Sequence, residues 1–403
     1  MRVLHIGKFY PPHPGGVERC VAELCGALKR SGVDVAALVH AEPGTAGSQV
    51  HDPAGFDVTL AACHGQVLYA PVSPGFPLLL SRLLQKFRPD LLHIHLPNTS
   101  AFFCLLLPAA RRVPWVVHWH ADIPLDSKRR LLRAAYALYR PWERAMLRRA
   151  AAIIATSTSY RDSSPALAPW CDKTHVIPLG IPPLQQAPGT GGIAEPPARK
   201  QTGPDPAVRI LAVGRLSYFK GIDILLRAIA PLPQLFLHVV GDGECRTSLE
   251  NLARKLGIES RVRFAGRIDM DAAGAAALQA AYADADVLCL PSTDRAESFG
   301  IVVLEAMRAR LPVIASAIPG SGVNYVVQAD VTGLLVPPGD VAALADALRR
   351  LAADPALRDR LGAGGERRWR DDFTLDRSAE RTLGLYRHLL PQALACAAAR
   401  PQG

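Results

Sequence analysis

Residues 3–28, with the sequence VLHIGKFYPPHPGGVERCVAELCGAL, decide the fold class of this 403-residue chain. The apolar run 3–7 predicts a buried strand, and the prolines and glycines that follow it predict a loop. The next apolar residues are spaced three or four apart and form one helical stripe: Val17, Cys20, Val21, Leu24 and Leu28. A buried strand followed by an amphipathic helix predicts an α/β sheet.

The same alternation of strands and helices occurs in two separate parts of the chain. In the first part, further strands are predicted at 33–39, 91–95, 115–118, 152–155 and 175–178. In the second part, strands are predicted at 208–213, 235–240, 262–265, 287–290, 312–315 and 333–336. Residues 181–206 are rich in proline and glycine, which predicts a linker. We therefore expect two Rossmann-like domains, over 1–180 and 207–375.

The composition is that of a globular protein, with 49% hydrophobic and 20% charged residues. No apolar run approaches the roughly 18 residues of a membrane-spanning helix, and the first residues lack the pattern of a secretory signal. We therefore expect a cytoplasmic protein. The eight cysteines have neither paired nor metal-binding spacing, so they are expected to be reduced and mostly buried.

The formal net charge is +10, and the basic residues are concentrated between Ser127 and Arg149, where eight Lys or Arg accompany one acid, Glu143. Nucleic acid is not an expected partner, because the sequence contains no recognisable binding module. This segment, SKRRLLRAAYALYRPWERAMLRR, is expected to be divided or kinked at Pro141. Its apolar side is expected to consist of Leu131, Leu132, Ala135, Leu138 and Tyr139. Such a segment lies either on an anionic membrane surface or as an ordinary surface helix on its own sheet.

Gly15 and Gly16 lie in the loop between the first strand and the first helix, where paired glycines let the backbone approach a ligand closely. The helix that follows directs its N-terminal amides toward negative charge. This loop lacks the G-x-G-x-x-G fingerprint, and His40 stands at the end of the second strand, where a dinucleotide-binding domain carries an acid. A nicotinamide-dependent dehydrogenase is therefore disfavoured.

Arg215 and Lys220 lie in the segment VGRLSYFKG, in the loop that opens the first helix of the second domain. Two cations at this spacing can converge on a diphosphate, because Arg binds it in bidentate fashion and Lys acts as a point charge. Two solvated surface cations are the alternative. Their position at the carboxyl end of a strand favours the diphosphate.

Glu297 and Glu305 flank the start of a helix that is predicted near Gly300, in the segment ESFGIVVLEA. Free amides at Phe299, Gly300 and Ile301 would face a phosphate there, with one carboxylate beside a bound sugar and the second beside ribose hydroxyls. Acidic residues near a helix start also stabilise its dipole, so helix capping is the alternative.

His118, Trp119, His120 and Asp122 follow one another at the end of a predicted strand. A histidine in that position can donate a hydrogen bond to a phosphate or accept a proton. The sequence offers no convincing third ligand for a metal beside His118 and His120. His93 alternates with apolar residues on an earlier strand and is expected to be a core histidine.

These segments, taken in order, resemble the retaining glycosyltransferases of family four. The second domain carries VGRLSYFKGIDILLRAI, VVGDGE, RVRFAGRI, ADADVLCLPS, ESFGIVVLEAM and GVNYVVQADVTGLLVPPGD. The first domain adds PPHPGGVER, HWHAD and VIPLGI. The resemblance covers nearly the whole chain. It implies the GT-B fold, in which two Rossmann-like domains face each other across a cleft, and a C-terminal helix, here about 376–399, packs back on the first domain.

The resemblance also implies roles for individual residues. Arg215 and Lys220 match the pair that neutralises a departing diphosphate, Glu297 matches the acid that contacts the transferred sugar, and Glu305 matches the acid that holds the ribose. The remaining matches are backbone amides for sugar and phosphate at Phe299, Gly300 and Ile301, a base site at Arg267 and Ile268, a histidine near the reacting centre at His120, and a phosphate-closing loop at Gly15 and Gly16.

The chemistry of the reaction agrees with these roles, because breaking a sugar–phosphate bond develops negative charge that the enzyme must stabilise. Asp284 and Asp286 form a D-x-D sequence that holds a divalent ion in many glycosyltransferases. Here they precede a predicted strand, so we interpret them as structural. Neither a metal nor another cofactor is therefore expected, and the two cations with the helix amides would replace the ion.

The resemblance implies a hexosyltransferase of bacterial surface-polysaccharide synthesis, with GDP-mannose as the best donor and UDP-glucose or a UDP-hexosamine as alternatives. A lipid-linked oligosaccharide at the inner membrane face is the expected acceptor, which suits the basic segment from Ser127 to Arg149. Two other functions stay open. A sugar-nucleotide epimerase would convert the donor alone, and a scaffold protein would bind it without catalysis.

Overall fold

The computed structural model describes residues 1–123, 130–184, 207–268 and 272–398. They divide into two units, of which the first comprises Met1–Leu179 and the chain from Leu375 onward, and the second comprises Gly180–Thr374. Most of the predicted linker, residues 185–206, lies outside this description, as do residues 127–129 of the basic segment.

A sheet forms the centre of the first unit. The strands are β1 (Arg2–Ile6), β2 (Asp34–His40), β3 (Ser48–Asp52), β4 (Phe56–Ala61), β5 (Gln66–Val67), β6 (Ala70–Pro71), β7 (Leu91–Leu96), β8 (Trp115–Trp119), β9 (Ala152–Ala155) and β10 (Thr174–Val176). All except β5 and β6 join one sheet in the order β10-β9-β8-β7-β1-β2-β4-β3. Its pairs are parallel apart from β3 with β4. The core order β4-β2-β1-β7-β8-β9 is that of a Rossmann sheet.

Helices and loops cover both faces of this sheet, which explains why its central strands β1, β7 and β8 are buried almost throughout, their histidines included. The helices are α1 (Gly16–Arg30), α2 (Phe76–Phe87), α3 (Phe103–Leu106), α4 (Pro108–Arg111), α5 (Arg130–Arg149) and α6 (Thr158–Ser163). Because side chains alternate along a strand, Val3 belongs to one apolar cluster and Leu4 and Ile6 to the other.

The basic helix α5 differs from its prediction in two respects. It runs through Pro141 without a break, so the predicted division is wrong. Leu138, which was predicted on the apolar side, is 78% exposed, whereas Met146 and Leu147 are fully buried. Tyr139, Glu143, Met146 and Leu147 share the inner face at helical spacing, and Leu138 falls on the opposite side.

The second unit contains a six-stranded sheet. Its strands are β11 (Val208–Val213), β12 (Leu235–Val240), β13 (Val262–Gly266), β14 (Val287–Leu290), β15 (Val313–Ser316) and β16 (Gly333–Val336). They are all parallel, in the order β13-β12-β11-β14-β15-β16. This is again the Rossmann order, so the predicted fold class is confirmed. The helices are α7 (Ile222–Ile229), α8 (Arg246–Lys255), α9 (Ala272–Asp284), α10 (Ile301–Arg308), α11 (Val323–Val326), α12 (Val341–Ala353) and α13 (Pro355–Asp372).

The last helix, α14 (Leu375–Ala398), follows the second unit along the chain but packs in the first. Leu375, Ala379, Leu383 and Tyr386 belong to the same apolar cluster as Val21 of α1. Among the described residues, no helix is both long and apolar enough to cross a bilayer.

Candidate functional site

In each sheet the strand order reverses beside its first strand, and ligands of open α/β sheets bind at the carboxyl edge near that point. In the second unit the loops after β11 and β14 meet there. Lys220 ends a short 3₁₀ turn, and Gly221 follows with φ +65°. A Cβ atom at Gly221 would lie 2.1 Å from the carbonyl oxygen of Pro291, so only glycine lets this turn pack against the chain after β14.

Lys220 and Glu297 form an ion pair at this point. The Lys220 Nζ lies 2.6 Å from Glu297 Oε2, and the Ser292 hydroxyl donates to the same oxygen at 3.0 Å. The side chains are only 15% and 10% exposed. The sequence predicted separate roles for these two residues, and the structure brings them into direct contact.

Arg215 lies in the same loop but has a different partner. It contacts Glu244 at 3.3 Å, and its side chain is 67% exposed. Arg215 and Lys220 line one small pocket together with Gly214, Leu290 and Pro291. Both cations therefore lie in the predicted loop, and each faces a carboxylate.

Helix α10 begins beside the ion pair, at the residue predicted from the sequence. Gly300 is its N-cap, with φ +80° and no side-chain cap, and Ile301 is its first residue. Phe299 is 2% exposed and anchors the turn. An uncapped helix start directs its first amides toward an anion, which is the geometry that a phosphate requires.

Glu305 lies one turn inside α10 and is 3% exposed. Its Oε2 accepts a hydrogen bond of 2.7 Å from Tyr282 of α9. This partner could not be predicted from the sequence, because Tyr282 lies in a run of small apolar residues. Arg267 and Ile268 follow β13, two strands from β11 at the same carboxyl edge. Arg267 is exposed and Ile268 is half-buried.

The two aspartates of the D-x-D sequence lie at the opposite edge of this sheet. Asp286 precedes β14 and accepts hydrogen bonds from the backbone and side chain of Arg209, at 2.8 and 3.2 Å. Asp284 contacts the same guanidinium. Both acids therefore tie the amino ends of β11 and β14 together, in agreement with the structural interpretation.

In the first unit, Gly15 and Gly16 follow β1 as predicted. Gly15 is extended, and a Cβ atom there would lie 2.0 Å from Glu18 Oε2, so the Glu18 carboxylate lies over this glycine. Burial raises the pKa of Glu18, and nearby His13 and Lys8 lower it again in part. Neither Glu18 nor Lys8 was predicted as a site residue, although both lie within residues 3–28, between the first strand and the start of the first helix.

His120 follows β8 and belongs to a cluster of five buried histidines. Its Nε2 lies 3.0 Å from His95 Nδ1, and His95 Nε2 lies 3.1 Å from His5 Nδ1. A second row joins the Tyr386 hydroxyl to His93 Nδ1, and His93 Nε2 to His118 Nδ1 at 3.2 Å. His93 is thus a hydrogen-bonded core histidine, as the sequence predicted.

Two sets of three histidines in this cluster have the ligand number of a metal site. One set is His5, His93 and His95, and the other is His95, His118 and His120. In each set the three possible ligand atoms lie within 4.8 Å of one another. Sequence reasoning found no third ligand beside His118 and His120. The sequence signal that was missed is the spacing of histidines two residues apart, in H-I-H on one strand and H-W-H at the end of the neighbouring strand. Because side chains alternate along a strand, this spacing places four histidine rings on one face of the sheet.

The outward face of α5 combines cations with exposed apolar side chains. Arg133, Arg140, Arg144 and Arg148 are exposed. Leu138 and Trp142 lie among them and are 78% and 42% exposed. Of these two outward apolar residues, Leu138 was among the apolar residues predicted for the segment and Trp142 was not.

Comparison with known proteins identifies both halves of the chain. The family described as "Glycosyl transferases group 1" matches residues 196–368. The family described as "Glycosyl transferase 4-like domain" matches residues 15–180.

Two curated proteins are similar over almost their whole length. An O-antigen chain mannosyltransferase C of Escherichia coli is 30% identical and is aligned over 97% of this chain and 99% of its own. The D-rhamnosyltransferase WbpZ of Pseudomonas aeruginosa is 32% identical, over 93% and 92% of the two chains. Among solved structures, a sucrose-phosphate synthase of Thermosynechococcus elongatus superposes with a TM-score of 0.77 at 26% identity, over 97% of this chain and 99% of its own.

Proposed function

The chain belongs to the group 1 glycosyl transferases, and from this membership we propose that it moves a hexose from a nucleotide sugar to a growing glycan. Within that class, GDP-mannose is the proposed donor. A lipid-linked or oligosaccharide acceptor in bacterial surface-polysaccharide synthesis is the proposed partner.

The Lys220–Glu297 pair beside the start of α10 carries this proposal. Cleavage of the sugar–phosphate bond develops negative charge on the diphosphate, and preorganised cations and amides stabilise it without rearrangement. In the proposed complex, Arg215, Lys220 and the amides at Phe299, Gly300 and Ile301 surround the phosphates. Glu297, released in part from Lys220, contacts the transferred sugar, and Glu305 contacts the ribose.

The proposed reaction is retaining and needs no metal ion. The leaving phosphate, on the same face of the sugar, assists removal of the acceptor proton. The contacts of Asp284 and Asp286 with Arg209, at the edge away from the pair, support a site in which cations and amides take the place of an ion. A glycosyl-enzyme adduct trapped on a carboxylate would contradict this route.

The choice of mannose rests on the relatives. One is named as a mannosyltransferase of O-antigen, and another transfers D-rhamnose according to its name. UDP-glucose and UDP-hexosamines are the alternative donors. The basic outward face of α5, with Leu138 and Trp142, supports contact with an anionic membrane surface where a lipid-linked acceptor would reside.

The first experiment is thermal stabilisation of the purified protein by GDP- and UDP-sugars, with EDTA present throughout. A ligand that binds only the folded protein raises its Tm, so the panel ranks the donors. Lys220→Ala should abolish the shift and lower turnover by about 10²–10³-fold. Lys29→Ala, which removes a surface lysine of the first unit, is the control and should change neither.

No shift with any nucleotide sugar, in protein shown to be folded, would contradict the proposed donor site. Conversion of the donor without an acceptor would instead identify an epimerase.

A further inference from the structure

A pocket with a volume of about 520 Å³ lies at one edge of the first sheet, and we call it the edge pocket. Residues of β10, α6 and α14 line it, and all of them belong to the first unit. β10 is the terminal strand of the sheet, and three strands separate it from β1, which Gly15 and Gly16 follow. The edge pocket is therefore distinct from the residues assigned to the nucleotide sugar.

The lining of the edge pocket has charge of one sign. Its four basic side chains come from three different elements: Arg161 of α6, His175 of β10, and Arg381 and His388 of α14. None of the described residues that line the pocket is acidic. A concave surface lined by charge of one sign concentrates ions of the opposite sign.

The packing of α14 brings these basic groups together. Arg381, Leu385 and His388 are spaced four and three residues apart, so they lie on one face of the helix. Leu385 belongs to the same apolar cluster as Ile177, which directly follows β10. His175 precedes Ile177 by two residues, so its side chain lies on the same face of the sheet.

The two histidines also interact electrostatically. Burial lowers the pKa of His175, and the charge of His388 lowers it further. The other titratable or charged side chains that line the pocket are Arg161 and Arg381, which are basic as well. A nearby negative charge favours the protonated imidazolium, so an anion bound among these groups should raise the pKa of His175.

Arg161 can bind an anion without losing its own carboxylate partner. Its Nε donates to Asp162 Oδ1 at 2.7 Å, and the two side chains are 31% and 60% exposed. Exposed ion pairs of this kind are weak. A guanidinium has several N–H groups in a fixed plane, so Arg161 can keep this contact and still donate to a phosphate.

We propose that the edge pocket binds the phosphate group of a small organic phosphate or of a lipid headgroup. Arg161 and Arg381 donate paired hydrogen bonds to the phosphate oxygens, and the two imidazole rings each donate one. The apolar side chains that line the pocket accommodate the rest of the ligand: Val176, Ile177 and Leu385. Because the whole pocket lies in the first unit, the proposal does not depend on the proposed function.

Proton NMR of the histidine C2–H groups, titrated with glycerol 3-phosphate at pH 7 and constant ionic strength, tests the site. The signals that disappear in His175→Gln and His388→Gln identify the two rings. Both signals should shift and saturate, and the His175 signal should move downfield because the phosphate favours its protonated form. His51, which is 67% exposed at the other edge of the sheet, should not respond. Shifts that do not saturate, or an equal response of His51, would overturn the proposal.

Two double variants with the same loss of charge test the specificity of binding. Arg161→Gln with Arg381→Gln should weaken the binding of glycerol 3-phosphate by at least about tenfold, because hydrogen bonds between charged groups are the strong ones. Arg82→Gln with Arg112→Gln removes two exposed arginines elsewhere in the first unit and should leave the affinity unchanged. Equal affinities of the two double variants would show attraction by net charge alone and would overturn the site.

The variant Lys220→Ala separates the edge pocket from the donor site of the second unit. The His175 response to glycerol 3-phosphate should persist in this variant with unchanged affinity. Its loss would overturn the edge pocket as a separate phosphate site. Failure of every nucleotide sugar to bind, with an intact His175 response, would contradict the proposed function alone.

Vesicles that contain phosphatidic acid distinguish the two sources of the phosphate group. If the source is a lipid headgroup, Arg161→Gln with Arg381→Gln should sediment with these vesicles less than Arg82→Gln with Arg112→Gln does. Equal sedimentation of the two double variants, together with saturable binding of glycerol 3-phosphate, would assign the pocket to a soluble organic phosphate. Equal sedimentation without such binding would overturn the proposal.

Discussion

At the scale of single residues, Glu143 is a buried acid of the first unit with a raised pKa. It is 1% exposed, and its Oε1 accepts a hydrogen bond of 2.9 Å from Tyr136. Its Oε2 has no partner among the described residues. Burial raises the pKa of Glu143 to about 7, and Asp122 adds to the rise, although the Tyr136 hydrogen bond opposes it. The folded protein therefore keeps a proton on Glu143 that the unfolded chain loses near pH 4.5.

The elevated pKa predicts how stability depends on pH. Between about pH 4.5 and pH 7 the folded state binds more protons at Glu143 than the unfolded state, so its contribution to stability falls as the pH rises. Glu143→Gln resembles the protonated acid and should remove this fall. Relative to wild type, the variant should gain up to about 3 kcal/mol of unfolding free energy between pH 5 and pH 8.

Urea unfolding at both pH values measures this difference, and the other titrating groups cancel between the two proteins. Glu380→Gln, at a surface position whose side chain is 75% exposed, is the control and should show no such gain. An equal difference between variant and wild type at both pH values would show that Glu143 is already ionised at pH 5.

The positions of several candidate residues relative to a strand or helix end could be predicted from the sequence, whereas their roles stay predictions. Lys220, Glu297 and Gly300 lie where these patterns placed them. Their partners could not be predicted. Lys220 meets Glu297 across 77 positions of sequence, and Tyr282 meets Glu305 across 23, because strand order and side-chain reach decide such contacts.

At the scale of elements, α5 presents two different faces. Met146 and Leu147 are buried against the sheet, whereas Leu138 and Trp142 are exposed among arginines. Exposed apolar side chains within a basic face are typical of helices that lie in a membrane interface. The structure therefore shows the contact of α5 with its own sheet, and contact of the outward face with an anionic surface stays a proposal.

We expect the protein to sediment with vesicles that contain phosphatidylglycerol and not with pure phosphatidylcholine vesicles. Each basic residue near the surface contributes about 1 kcal/mol, which is weakened by salt. Leu138→Glu with Trp142→Glu should lower the bound fraction by at least tenfold. Val331→Glu, at an exposed apolar position of the second unit, should leave it unchanged. Equal binding of the double variant and the control would exclude α5 as the contact.

The elements that the sequence predicted correctly are the buried ones. β11, β12, β14 and β16 have the predicted bounds, because each is a short run of mostly apolar residues: VRILAV, LFLHVV, VLCL and GLLV. β3 and β4 were missed. β3 is almost entirely exposed with the sequence SQVHD, so it carries no hydrophobic pattern. The continuity of α5 through Pro141 was also missed, because packing of the inner face outweighs the local preference of proline to break a helix.

At the scale of the whole molecule, the first unit is discontinuous in sequence. Its last helix, α14, lies after the second unit, and α14 shares an apolar cluster with α1 and strands β1, β2 and β7. The stability of the first unit should therefore depend on residues that are close in sequence to the second unit.

Leu383→Ala in α14 tests this dependence. Removal of a buried leucine side chain costs about 2–5 kcal/mol. We expect amide hydrogen exchange to accelerate in β1, β2 and β7, and to stay unchanged in β15 and β16, which are nearer in sequence. Leu348→Ala in α12, a buried leucine of the second unit, should produce the reverse pattern. Faster exchange in both units after Leu383→Ala would contradict independent stability of the two units.

The position of α14 also determines the order in which the two units are completed during synthesis. The ribosome produces residues 1–179 first, yet the core that these residues form lacks Leu375, Leu383 and Tyr386 until the last helix emerges. The second unit is one uninterrupted stretch and has all its strands before that point. Domains generally fold as units during synthesis. The second unit, although it is translated later, can therefore finish folding before the first. Until α14 has been synthesised, part of the apolar face of the nascent first unit stays uncovered.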